Sequence, residues 1–79
     1  MGLSAREKEW SDKARRFLKA ELKRADVSYK ELVQKLHEHG VDETEASVTS
    51  KLARGTFAVS FFLAVLAVLG LEGVQLEDL

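Results

Sequence analysis

The sequence contains no cysteine, which excludes a disulfide scaffold, a thiolate zinc site and a cysteine nucleophile together. Proline is absent and glycine occurs only five times, so the chain has neither collagen-like nor Pro-rich linker character. There is no Gly-rich phosphate loop, no internal repeat and no low-complexity stretch. Neither sign of charge dominates: twelve Lys and Arg face thirteen Asp and Glu, a net charge of −1. With 46% hydrophobic residues, that balance excludes an intrinsically disordered chain. The one long apolar run, residues 57–69, is shorter than the roughly 20 residues that span a bilayer, so no membrane partner is expected. Residues 1–9 carry charge and no apolar run, so no secretory signal is expected and the expected location is cytoplasmic.

What remains is one small domain, residues 1–79, whose modest core makes tight packing or self-association important for stability. Charge is distributed unevenly along it. Residues 1–30 hold nine bases against five acids, and residues 31–79 hold three bases against eight acids. A polyanionic partner would therefore have to meet a local basic face. A run such as Lys13-Ala14-Arg15-Arg16 also reads as an ordinary solvated helix surface.

The hydrophobic spacing predicts helices throughout. Ser4-Ala-Arg-Glu7 has the capping-box pattern, followed by Trp10, Ala14, Phe17, Leu18, Leu22 and Ala25 on one stripe of a helix over residues 5–26. Ser28-Tyr-Lys-Glu31 is a second capping box and opens a helix over 29–39, which Gly40 closes. Thr44 caps a helix over 45–54 whose only large apolar residues are Val48 and Leu52, and Gly55 stops it. Thr56 is the expected cap of a fourth helix over 57–69, ending at Gly70, with a short helical or extended segment over 71–79. The fold class is all-α: a compact four- to five-helix domain.

The third and fourth helices differ most. Opposite Val48 and Leu52, the third helix carries Ala46, Ser47, Ser50, Ala53 and Arg54, flanked by Thr49 and Lys51. Such a face suits a DNA major groove, because small residues permit close approach while hydroxyls and Arg read base edges or phosphates. It also fits a surface helix that simply lacks long side chains. The fourth helix is apolar around about two-thirds of its circumference, where one core face needs nearer one-third. It is either a central helix wrapped on several sides or partly an interface with a second copy. Val59, Leu63 and Leu66 form the edge on which that self-contact is expected.

Other chemistry is sparse. His37 and His39 are two residues apart, point to opposite sides of a helix and read as surface histidines, so no metal site or other cofactor is expected. Glu43 and Glu45 lack a neighbour that would desolvate them, and catalysis is not expected. Trp10 and Tyr29 read as core or core-edge aromatics.

The order of caps, glycines and apolar positions, with Thr49-Ser-Lys-Leu-Ala-Arg-Gly55 closing the third helix, resembles the phage-repressor/Cro-like (lambda-repressor-like) helix-turn-helix family over roughly residues 13–79. It is also similar to a small bacterial family of uncharacterised domains with this layout. The resemblance implies a small homodimeric transcriptional regulator in which residues 28–54 form a helix-turn-helix and the third helix enters the major groove of double-stranded DNA. It implies that Ala46, Ser47 and Ser50 face base edges. By the same resemblance Ser28, Tyr29, Lys30, Lys51, Arg54 and Thr56 lie near phosphates. The connection over 39–44 is longer than that family's tight turn, and Glu43 and Glu45 stand where their charge repels phosphate. The alternative is a protein-interaction module on the same fold, recognising a protein partner through the apolar helix 57–69 and the acidic tail.

Overall fold

In a computed structural model that describes residues 5–79, with side chains from Arg6 onward, the regular structure is all helical. Four α-helices, α1 (Ala5–Arg24), α2 (Tyr29–Glu38), α3 (Glu45–Arg54) and α4 (Val59–Val68), are followed by a 3-10 turn over Leu76–Asp78. Helix α1 packs on α3 and α4, and α2 packs on the same pair. The cap expected at Ser4 lies outside the described residues.

Each helix contributes to the core residues one turn apart: Leu18 and Leu22, Leu32 and Leu36, Val48 and Leu52, and Phe61 with Val65 and Leu66. Pairs at i, i+4 share one helix face, so four short amphipathic stripes close on a single apolar centre. Phe57 stacks on Phe62 and tilts against Phe61, which seals the corner where the chain enters α4.

The helix ends explain most of the boundaries. At α1, α2 and α4 the chain reverses through a left-handed residue, Asp26, Gly40 or Gly70. In each case the next residue's N–H reaches back five residues: Val27 to Leu22, Val41 to Leu36, Leu71 to Leu66. These are Schellman closures, and the apolar residue after each reversal packs half-buried against the core. Helix α1 therefore stops at Arg24 rather than near residue 26, because an Asp occupies the left-handed position that glycine usually marks. Helix α2 ends at Glu38, with His39 as its cap.

The start of α4 differs from the expectation at Thr56. Ala58 is the N-cap and makes no side-chain cap bond, so α4 begins at Val59 and residues 56–58 are linker. Helix α4 turns 114° away from α3. Among the described residues, no single helix is long and apolar enough to cross a membrane.

Candidate nucleic-acid interface

Helix α3 begins with a closed network. Thr44 Oγ1 accepts from the Ser47 amide at 3.0 Å, and Ser47 Oγ accepts from the Thr44 amide at 2.9 Å. Serine here takes the reciprocal place that Glu or Gln fills in the usual capping box. Ser47 Oγ also donates to Glu43 Oε1 at 2.6 Å, and Lys51 Nζ donates to Glu43 Oε2 at 2.6 Å. The Lys51 ammonium lies 4.8 Å from the Phe61 ring centroid as well. Burial opposes ionisation of Glu43, but the Lys51 ammonium and the Ser47 hydroxyl outweigh it and hold its carboxyl below the usual range. Behind this cluster His37 Nε2 donates to the Glu43 carbonyl at 3.1 Å, pinning the α2–α3 connection to the end of α2.

This network changes two of the expected roles. Lys51 does not project as a free cation, because its charge is committed to Glu43 across the turn. Ser47 is half-buried and spends its hydroxyl on the cap and on Glu43, so it does not belong to the outward face. The same pairing offsets the negative charge that Glu43 brings to the start of α3.

The remaining outward face is shallow. Ala46, Thr49, Ala53 and Arg54 are exposed and Ser50 is half-buried beside them. Thr49 Oγ1 donates to the Glu45 carbonyl, so its methyl group faces solvent with the two alanines. Arg54 has no ion-pair partner among the described residues. Thr56 is exposed in the linker that follows.

The α2 start is also mostly occupied. Ser28 Oγ accepts from the Glu31 amide and Glu31 Oε1 accepts from the Ser28 amide, both at 3.1 Å. The Ser28 amide and hydroxyl bonds hold the Glu31 carboxyl below its usual range, so a carboxylate sits where a phosphate was expected. Lys30 is exposed beside it. Tyr29 is half-buried and packs against the core, as a core-edge aromatic should.

One basic residue of α1, Arg15, borders the end of α3. A Cβ added at Gly55 would lie 2.8 Å from the Ser11 carbonyl oxygen and 3.0 Å from Arg15 Cδ, so α3 ends against α1 at these residues. Lys8, Arg15 and Lys19 recur at helical spacing on one stripe of α1, and Arg15 is steadied by Asp12 at 3.1 Å. The sequence leads one to expect first-helix cations beside Arg54, and the packing shows that Arg15 is the one that meets the end of α3.

The proposed self-contact edge is also revised. Val59 and Leu63 are 72% and 57% exposed, but Leu66 is only 5% exposed and belongs to the core. The chain folds back at Gly70 and bonds its Leu71 amide to the Leu66 carbonyl, covering that end of α4. Conversely Trp10, expected in the core or at its edge, is 51% exposed and lies beside Val59 and Phe62.

A four-helix all-α domain with one shallow, small-residue helix face is thus the class of molecule at hand. The chain belongs to the family described as a domain of unknown function, DUF6471, which matches residues 10–74. No curated protein and no solved structure matches the chain.

Proposed function

We propose that this chain is a DNA-binding module that presents α3 to the major groove, with α2 and α3 acting as a helix-turn-helix. The observation that carries this reading is the outward face of α3: Ala46, Thr49, Ser50 and Ala53 form a low surface that ends on Arg54, which has no ion-pair partner among the described residues. Close approach to base edges requires short side chains at the helix surface, and a terminal Arg supplies either a phosphate contact or a bidentate contact to guanine. The exposed Lys8 and Lys19, on the α1 stripe that also holds the Asp12–Arg15 pair, supply the sequence-independent attraction that such binding needs. The resemblance to phage-repressor/Cro-like regulators points the same way. In this reading the protein is a homodimeric transcriptional regulator of the cytoplasm that acts by binding rather than by catalysis.

The contact set differs from that implied by the resemblance alone. Arg54, Ser50 and Ala46 remain in it, together with Lys30 and Thr56 at its edge, while the Ser28 hydroxyl is occupied by Glu31. Lys51 and Ser47 act indirectly, by fixing the start of α3 through Glu43. The second reading, a protein-interaction module, draws on the exposed Trp10, Val59 and Leu63.

The test is fluorescence anisotropy of a labelled random duplex titrated with the protein at several salt concentrations. Binding through phosphates should weaken with salt by about 0.9 log units per contact per log unit of salt. Arg54→Ala should flatten that slope, while Lys51→Ala should leave it nearly unchanged. Absence of binding at low salt would refute the reading.

A further inference from the structure

We infer that the cleft between α1 and the C-terminal segment, residues 71–79, binds a small amphipathic anion, an organic carboxylate with an apolar body. The inference goes beyond the nucleic-acid reading and stands whether or not α3 meets DNA.

The cleft follows from how the chain returns after α4. Past the reversal at Gly70, Leu71 and Val74 pack half-buried against the core and share one cavity with α1. Among the described residues no hydrogen bond or ion pair joins this segment to α1. The cavity between the two walls is about 660 Å³. That volume lies within the roughly 300–1,000 Å³ of small-molecule sites.

The two walls differ in chemistry. The α1 wall presents Lys13, Arg16, Phe17, Ala20 and Arg24 at helical spacing, so cations stand at both ends of an apolar stretch. Leu71 and Val74 line the same cavity from the returning segment. At one end lies Glu21, 8% exposed, the one buried charged residue among those described. A buried carboxylate persists only when paired, and its partner is the Arg24 guanidinium at 2.5 Å. This pair is neutral in itself and closes that end.

The charge left for a ligand stands at the other end. Arg16 is exposed and has no ion-pair partner among the described residues. Lys13, one turn before it, lies 4.8 Å from the Trp10 ring centroid and has no carboxylate partner among the described residues. Asp78 is the opposing charge on the other wall, so three cations meet two acids and the lining carries a net charge of +1. A monoanion neutralises it, with the acid group at Arg16, where a guanidinium makes charge-assisted bonds. Arg16 and Arg24 are eight residues apart, about 12 Å along the helix. One carboxylate does not bridge that span, so an apolar body lies over Phe17 and Ala20 between them. A duplex is not the occupant, because residues 71–79 carry three acids and no base and repel an extended polyanion.

The experiment titrates the isotope-labelled full chain with octanoate and follows backbone amide shifts by NMR, with acetate, octan-1-ol and octylammonium in parallel. Octanoate should shift amides of residues 16–24 and 71–78 saturably and raise the thermal midpoint. Acetate lacks the apolar body and octan-1-ol lacks the charge, so each should bind about ten-fold or more weakly. Arg16→Gln should weaken octanoate by about ten-fold or more, the worth of one charge-assisted hydrogen bond. Arg16 is exposed, so far-UV circular dichroism should show an intact fold. Asp78→Asn should tighten octanoate by about two-fold, because it removes the opposing charge. No saturable shift at about 10 mM octanoate, a Kd weaker than any useful site, overturns the inference. Octan-1-ol bound as tightly as octanoate overturns it, as does an Arg16→Gln variant that binds like wild type. Tighter binding of octylammonium overturns it in favour of a cation held by Glu21 and Asp78. Shifts centred on Trp10 and Val59 instead overturn it in favour of adsorption to the exposed apolar residues.

Discussion

Gly55 should be the least replaceable residue outside the core. Its φ is +74°, and an alanine there would adopt the left-handed region at a cost of about 1–2 kcal/mol. The new Cβ would also lie 2.8 Å from the Ser11 carbonyl oxygen, which is helix backbone and cannot swing aside. Forcing α1 and α3 apart to relieve such a contact costs about 1–3 kcal/mol, as overpacking does elsewhere. Gly55→Ala should therefore lose about 2–5 kcal/mol. For a 79-residue domain the whole stability is on the order of 4–12 kcal/mol, so the loss is large. Gly40→Ala and Gly70→Ala are the controls. Both glycines have positive φ, 79° and 75°, but nothing lies within 4 Å of an added Cβ. They should lose only the conformational part, about 1–2 kcal/mol. Urea unfolding followed by circular dichroism at equal m-values separates the two terms. Equal losses at Gly55 and Gly40 would refute the close α1–α3 contact, and with it the placement of Arg54 beside the basic stripe of α1.

Further outcomes follow from the core and the caps. Leu66→Ala should cost about 2–5 kcal/mol in urea unfolding, whereas Leu63→Ala, on the exposed side of the same helix, should stay within about 0.5 kcal/mol when measured on dilute monomer. Thr44→Ala should cost about 1 kcal/mol through loss of the α3 cap, readable as a lower thermal midpoint. Acid should destabilise the fold through Glu43 and Glu31. Both have folded pKa values below their usual 4.5, so their contribution is full above that pH and is lost as pH falls below it. Glu43→Gln should make unfolding below pH 4.5 less steep when stability is measured against pH.

The sequence announces α3 well because both of its ends carry signals, Thr44 at the start and Gly55 at the stop. It announces the other boundaries less well. Asp26 takes a left-handed position that a reader assigns to glycine or asparagine, and Ala58 starts α4 without any capping side chain. Helix α4 is apolar on nearly every side, so a helical wheel cannot say which arc meets the core. That is why the spacing groups Leu66 with Val59 and Leu63, although Leu66 is buried in the core. The Glu43–Lys51 pair spans eight residues across a helix start, beyond the three- and four-residue spacings that a linear reading scans. Trp10 shares the apolar spacing of Phe17 and Leu18, yet lies on the exposed N-terminal half of α1. The all-helical layout and the small-residue character of α3 were legible, because both rest on local periodicity. The committed charge of Lys51 was not, because Glu43 reaches it from outside the helix, eight residues away.

The most direct measurement of the central claim is the affinity of Ala46→Glu for duplex DNA, beside wild type, at low salt. Ala46 is exposed in the first turn of α3, where an acidic side chain suits the helix dipole and should leave the thermal midpoint unchanged. If the outward face of α3 enters the groove, the longer, negative side chain should reduce affinity by about ten-fold or more, the cost of losing one good base contact. A folded Ala46→Glu variant that binds DNA as tightly as wild type would contradict the account.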